Sequence, residues 1–320
     1  MPEVALVLNP SSRRSAPARA AIETACGAHG MSLLVLPTTV ADPGPGQARE
    51  ALAAGVRRVV VAGGDGTVRH VAGVLGERGP SDGRVTEDHG SAAAPEQAVL
   101  GVVPVGTANL FARSVGLPRG DLAAAARLAV AARGRPMDLG RATLTGVHGG
   151  VTDQPFLVVV GLGHDADTVA AMSPALKKRL RWMAYLEPGL RRLSRPGRPV
   201  TLMIDGQAER SEEVWSVLAV NSARLPMRAR VVPGARPDDG QLHIALVAPR
   251  NLRDWTEVAR VGWGARHTGH PALRYEVGRK LVVRPAEPAA VQVDGDVVPD
   301  IVEGTITLEP GALSVAGPPT

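Results

Sequence analysis

Val59-Val60-Val61-Ala62-Gly63-Gly64-Asp65-Gly66-Thr67 is the stretch whose reading decides the fold. An apolar run with no polar alternation, Arg58–Ala62, reads as a strand buried on both faces. Glycines follow, and Thr67–Leu75 then reads as a helix. Such a strand-to-helix turn aims backbone N–H groups and the positive end of the helix dipole at the strand end, which favours an anion. Glycine there permits positive φ and lets a phosphate approach the backbone. Asp65 is a candidate for a metal or a ribose, and Thr67 for the helix cap. A tight structural turn would account for the same residues without any ligand.

The pattern repeats on either side. Val4–Leu8, Leu33–Leu36 and Val99–Val103 read as strands, and Ala16–His29, Gln47–Ala54, Ala108–Ser114 and Asp121–Ala132 as helices. Continuous apolar strands alternating with helices predict a parallel α/β sheet, whose ligands sit at the carboxyl ends of the strands. Asn9-Pro10-Ser11-Ser12-Arg13-Arg14 and Pro104-Val105-Gly106-Thr107-Ala108-Asn109 fall at two more such ends. Two anion-shaped turns at neighbouring strand ends suit a polyphosphate better than one does. An ordinary helix cap equally explains the turn at Asn9. Residues 80–98 lack an apolar period and read as a surface insert.

Beyond Gly134–Pro136 strands dominate: Phe156–Val160, Val200–Ile204, Trp215–Val220, Leu242–Val247, Lys280–Arg284, Val291–Val293 and Thr305–Leu308. Helical stretches at Ser173–Ser194 and Leu252–Trp263 interrupt them. The organisation expected is an α/β nucleotide-binding domain over 1–134, a β-sandwich-like domain over 135–309, and a tail over 310–320.

Composition removes several functions. The chain has 320 residues and a formal charge of +5, yet only Lys177, Lys178 and Lys280 are lysines. No lysine precedes residue 177, which excludes a GxxxxGK phosphate loop in the first half. With 4 Trp, 2 Tyr and 2 Phe, a base-stacking platform has too few rings, and no nucleic-acid partner is expected. Cys26 is the only cysteine, so neither an intramolecular disulfide nor a cysteine zinc site can form. The start of the chain does not read as a signal peptide, and a cytoplasmic location is expected. Lys177–Arg198 interleaves basic residues with Trp182, Tyr185, Leu186 and Leu190. It reads either as an amphipathic element touching an anionic membrane face or as a solvated helix face.

Carboxylates cluster at Asp238-Asp239-Gly240 and Asp294-Gly295-Asp296. Asp-Gly is also a common hairpin turn, and Asp205-Gly206 reads as nothing more. In extended backbone, Asp294 and Asp296 would point to one side, where the pair could hold Mg2+ or accept a hydroxyl proton. His164 reads as structural.

Taken together these residues resemble the diacylglycerol kinase catalytic-domain family, which includes sphingosine kinases and bacterial lipid kinases. The family pattern N-P-x-S-G is similar to Asn9–Ser12, with Arg13 where glycine is usual. G-G-D-G-T stands intact at Gly63–Thr67. Pro104 to Arg113 resembles P-x-G-T-x-N-D-F-A-R, with Leu110 for aspartate. Asp138-Leu139-Gly140, Gly161–Ala166, Pro233 to Leu242 and Asp294–Asp296 follow in family order, with Asp296 where glutamate is usual.

The resemblance implies an N-terminal domain related to NAD kinases and phosphofructokinases and a C-terminal β-sandwich. It implies an ATP-dependent kinase acting on a lipid hydroxyl, most simply that of diacylglycerol to give phosphatidate. ATP contacts fall on Asn9, Pro10, Ser11, Ser12, Arg13 and Thr39, on Gly63, Gly64, Asp65, Gly66, Thr67, Val68 and Arg69, and on Gly106, Thr107 and Asn109. A Mg2+ site falls on Asp239 and the carbonyls of Arg236 and Gln241. The proton acceptor falls on Asp296, with Asp294 as the alternative. A homodimer is possible on the same grounds. An NAD kinase-like enzyme and a nucleotide- or lipid-binding regulator of weak catalysis are the competing readings.

Overall fold

A computed structural model describes residues 1–77, 97–170, 195–222, 232, 234–262 and 269–318. Most of the 80–98 insert, the helix expected at Ser173–Ser194 and the basic stretch up to residue 194 lie outside them. The chain groups into two compact units. Unit 1 is Met1–Gly106, Gly116–Met137 and Gly311–Thr320; unit 2 is Thr107–Val115 and Asp138–Pro310.

The first elements alternate as the sequence predicts. They are β1 (Val4–Leu8), α1 (Ser15–Ala28), β2 (Leu33–Pro37), α2 (Pro45–Ala53), β3 (Arg58–Gly63), α3 (Asp65–Leu75), β4 (Val99–Pro104), α4 (Leu110–Ser114) and α5 (Leu122–Ala131). In unit 1 the strands pair in parallel in the order β2-β1-β3-β4. Beyond β4 lie Ser314 and Val315, also parallel, from the last strand, β15 (Asp296–Ala316). Residues 310–320, expected as a tail, therefore run as strand as far as Ala316.

Period decides which face each residue serves. Val4, Leu6 and Leu8 of β1 and Val60 and Ala62 of β3 share one buried cluster with α1 and α5. From α1 come Ala18, Ile22, Ala25 and Cys26, one stripe of a 3.6-residue helix. From α5 come Ala125, Ala126, Ala129 and Val130. A Cβ at Gly101 would lie 2.6 Å from the Ala129 carbonyl oxygen, so glycine is what lets α5 lie directly on β4.

Unit 2 contains β5 (Gly134–Gly146, entering from unit 1), β6 (Val151–Phe156), β7 (Val159–Gly163), α6 (His164–Ala170), β8 (Arg198–Ile204) and β9 (Arg210–Val214). There follow β10 (Ser216–Val220), β11 (Leu242–Val247), α7 (Leu252–Gly262), β12 (Leu273–Gly278), β13 (Lys280–Pro285) and β14 (Ala289–Val293). One layer runs β12-β11-β10-β7-β14-β15 and the other β9-β8-β13-β15, with β5 and β6 continuing from β15. Residues of both layers, among them Leu144, Phe156, Leu162, Val217, Leu202, Leu281 and Ile306, bury one another in a single core. That is a β-sandwich. The helix expected at Leu252–Trp263 is α7, whose Trp255, Val258 and Val261 pack on Trp215 and Leu273.

Four strands escaped the sequence: β5, β6 (apart from its last residue, Phe156), β9 and β12. The expected strand Phe156–Val160 is in fact broken, with β6 ending at Phe156 and β7 starting at Val159. The cause of that break lies 137 residues away, at Asp294.

Candidate functional site

In unit 1 the strand ends after β1, β3 and β4 are tied together by main-chain bonds. Asn9 N–H donates to Ala62 O at 3.0 Å, and Val105 N–H donates to Gly63 O at 3.1 Å. The Ser12 hydroxyl donates to Val105 O at 2.9 Å. Arg14 Nη1 reaches the Pro104 carbonyl at 3.4 Å, and both its terminal nitrogens reach the Arg119 carbonyl at 3.2 Å. Thr38 N–H donates to Leu8 O at 2.8 Å and so brings the end of β2 alongside. Thr39 is exposed, and its hydroxyl accepts from Asp42 N–H at 3.0 Å. The Asn9 side chain accepts from Ser11 N–H at 3.0 Å, while Pro10, Ser11 and Arg13 are exposed.

The Gly63–Thr67 turn works differently from the expectation. None of Gly63, Gly64 and Gly66 takes a positive φ. Their value is small size. A Cβ at Gly63 would lie 2.8 Å from the Thr67 Cβ, and one at Gly64 would meet only the Gly106 Cα, at 3.5 Å. The two glycine turns thus face each other across their backbones. Thr67 does not cap α3 as expected: the cap is Gly64, which has no side chain to offer. Val68 N–H is committed to Gly64 O at 3.0 Å, and the Val68 and Arg69 side chains are buried. The N–H groups at the helix start belong to Asp65, Gly66 and Thr67. Gly106 is in unit 1, but Thr107 and Asn109 group with unit 2, where Asn109 caps α4 in the left-handed region at φ 49°.

Unit 2 carries the carboxylates. Asp239 Oδ1 accepts from Gln241 N–H at 3.0 Å, and Oδ2 accepts from Arg236 N–H at 3.1 Å. His243 Nε2 stands 2.9 Å from the same Oδ2. One carboxylate thus gathers the main chain of Arg236 and Gln241 around itself. Both oxygens of that carboxylate are engaged, by two main-chain N–H groups and the His243 ring. No group of three or more His, Cys, Asp or Glu side chains among the described residues is arranged to hold a metal. The turn is fixed from β5: buried Asp138 accepts from Gly240 N–H at 2.8 Å and donates its own N–H to Pro237 O at 2.7 Å. Sequence reasoning quoted Asp138 as part of a motif but gave it no task.

Asp294 and Asp296 do not act as a side-by-side pair. Asp294 has φ 48° and Gly295 φ 92°, the two central residues of a tight hairpin turn between β14 and β15. The Asp294 carboxylate accepts three main-chain N–H groups, from Leu157 at 2.7 Å, Val158 at 3.0 Å and Val159 at 2.8 Å. Asp296, the first residue of β15, is exposed. The hairpin-turn reading of Asp-Gly is the one seen at Asp294-Gly295, and the side-by-side pair that extended backbone would have given does not form.

His164 is buried and structural, as read: its ring pairs with Asp167 at 3.2 Å and with the Pro196 carbonyl at 3.1 Å. Beside it, Asp165 was overlooked as an individual residue. Its carboxylate is buried and takes hydrogen bonds from the Ser216 hydroxyl and the Gln292 amide. Burial pushes its pKa up to about 6 against the pull of those donors.

The parallel α/β unit with glycine turns at its strand ends and the sandwich with acidic turns are each matched by a family model. A family model described as "Diacylglycerol kinase catalytic domain" matches residues 3–142, and one described as "YegS C-terminal NAD kinase beta sandwich-like domain" matches residues 158–317. The chain belongs to this family of diacylglycerol kinases and YegS-like lipid kinases. It is 34% identical over 248 residues to a Pseudomonas fluorescens protein named "Probable lipid kinase YegS-like", covering 77% of this chain and 74% of that one. It is 27% identical over 261 residues to the diacylglycerol kinase of Bacillus subtilis, covering 81% and 77%. A crystal structure of a Bacillus anthracis diacylglycerol kinase superposes with a TM-score of 0.70 at 20% identity over 99% of this chain and 97% of that one, which speaks to the fold. Kinase membership implies ATP as phosphoryl donor. No helix among the described residues is long and apolar enough to cross a membrane.

Proposed function

We propose that this chain transfers the γ-phosphoryl group of ATP to the hydroxyl of diacylglycerol or a closely similar lipid, giving phosphatidate or its analogue. One observation carries the reading furthest. Of the two carboxylates of the Asp294–Asp296 turn, one is committed to three backbone N–H groups and the other is exposed. Asp294 holds the turn, and Asp296 accepts the proton of the lipid hydroxyl.

Phosphoryl transfer depends mainly on positioning and on neutralising charge. The N–H groups of Asp65, Gly66 and Thr67 and the dipole of α3 receive phosphate oxygens, with Gly64 and Gly106 leaving the space. Arg13 and Asn9 lie at the adjoining strand end. Asp239, with the carbonyls of Arg236 and Gln241, would hold Mg2+, which supplies charge neutralisation to the phosphates when bound. Asp138 keeps that turn in place.

The test is turnover of labelled ATP with diacylglycerol in mixed micelles, run beside NAD as the competing acceptor. Labelled phosphatidate is the expected product; labelled NADP without labelled lipid would overturn the reading. Asp296→Asn should lower kcat by roughly 10²–10⁴-fold, the usual size of a general-base contribution, with ATP affinity kept. Wild-type turnover in that variant would remove Asp296 from the role.

A further inference from the structure

We infer that Asp165 and Gln292 form a buried relay that sets the position of the Asp294-Gly295-Asp296 turn, making both of them positioning residues for Asp296. The inference rests on the role proposed for Asp296 above. Gln292 lies in β14, two residues before the turn, and is almost fully buried. Its amide oxygen accepts the Gly295 N–H at 2.9 Å. Gly295 is the residue between the two carboxylates, so this bond fixes the peptide that leads into Asp296. With its oxygen on Gly295, the amide turns its NH2 the other way, where a buried donor costs free energy unless it has an acceptor. Asp165 is that acceptor.

The rest of the neighbourhood is built to keep Asp165 there. Ser216 is fully buried, and its hydroxyl donates to Asp165. Backbone N–H groups at Asp165 and Ala166 add two further donors. A Cβ at Gly161 would lie 1.8 Å from Asp165 Oδ2 and 2.9 Å from Gln292 Nε2, so that glycine keeps open the space the two side chains share. The Ser216 hydroxyl, two backbone N–H groups and the Gln292 amide all donate to the carboxylate, so the Gln292 amide turns its nitrogen toward Asp165 and its oxygen toward Gly295.

Among the described residues, the flanking elements bring the following ionisable groups. On α6, His164 and Asp167 pair with each other, and Arg198 of β8 pairs with Asp167 at 3.0 Å. The β14–β15 turn brings Asp294 and Asp296. The β7 and β10 sequences, Val159–Gly163 and Ser216–Val220, bring none.

A charge exchange in the full-length chain tests the relay. Gln292→Glu puts two carboxyls against each other: the new side chain can still accept from Gly295, but once the proton they share is lost their repulsion displaces the turn. Its kcat, normalised to wild type at each pH, should fall about tenfold per pH unit once that shared proton is lost, with KM for ATP unchanged. Asp165→Asn combined with Gln292→Glu restores a donor facing an acceptor, and should return kcat to within about threefold of wild type at every pH. Gln292→Asn, too short to span both partners, should lower kcat with KM for ATP held. Wild-type kcat in Gln292→Glu across pH 6–9, no recovery in the double variant, or full activity in Gln292→Asn would each overturn the inference. If the wild-type chain phosphorylates no lipid, the proposed function falls instead, and the two failures are distinct.

Discussion

The two carboxylates of one turn differ in surroundings: Asp294 is held by main-chain donors and Asp296 is exposed. At φ 48°, Asp294 sends its side chain back toward the bend between β6 and β7, where three N–H groups wait. Asp294→Ala would leave those donors buried without an acceptor, at about 1–3 kcal/mol each where water cannot replace it. A clear drop in melting temperature is expected for that variant, and none for Asp296→Asn; equal melting in both would contradict the division of labour. Asp165 makes a second residue-scale prediction. Its pKa is raised, so its contribution to stability is fully present below the ordinary carboxylate range and is lost as pH rises through about 6. Asp165→Asn removes that titration. The melting-temperature difference, variant minus wild type, should therefore grow more positive from pH 4 to pH 7, and a flat difference would count against the burial cost.

At the scale of elements, β1, β3 and β4 were legible because a strand covered on both faces is apolar throughout. β9 and β12 were not. Among the described residues Arg210–Val214 pairs only with β8 and Leu273–Gly278 only with β11, and such half-exposed edge strands carry Arg and Glu among their few apolar residues. Arg274 and Glu212 then meet at 2.9 Å, a contact between those two strands that local pattern does not reveal. The break at Leu157–Val158 was equally hidden, because an apolar run reads the same whether or not a distant carboxylate captures its N–H groups. The site divides along the same line. The glycine turns could be read locally, whereas the relay from Asp165 to Gly295 depends on residues brought together by the sandwich. The α3 start yields the element-scale prediction. Gly64 has φ −91°, which any residue adopts, and its Cβ direction meets only Gly106 at 3.5 Å. Gly64→Asp should fold as wild type yet lose nucleotide binding, since a carboxylate would occupy the phosphate space. Calorimetry showing normal ATP affinity in a folded variant would exclude the α3 start as the phosphate site.

Across the whole molecule, sequence neighbours are not always structural neighbours. Thr107–Val115 groups with unit 2 although the residues on both sides of it group with unit 1. Residues 311–318 group with unit 1: Ser314 pairs with Val99, Val315 with Leu100, and Arg135 donates to the Pro318 carbonyl at 2.7 Å. A chain shortened after Pro310 should therefore lose the cooperative unfolding of unit 1, read by hydrogen exchange in β3 and β4. Unchanged protection there would show that the sheet closes without β15.

That last strand also sets an order of events during biosynthesis. β1 to β4 leave the ribosome early, but the β4 edge lacks its partner until residues 314 and 315 have been made. Through most of translation the nascent protein therefore exposes an apolar sheet margin, the kind of surface that chaperones hold and that pairs wrongly with other chains. A ribosome that stalls within the sandwich would release a product whose parallel sheet is unfinished.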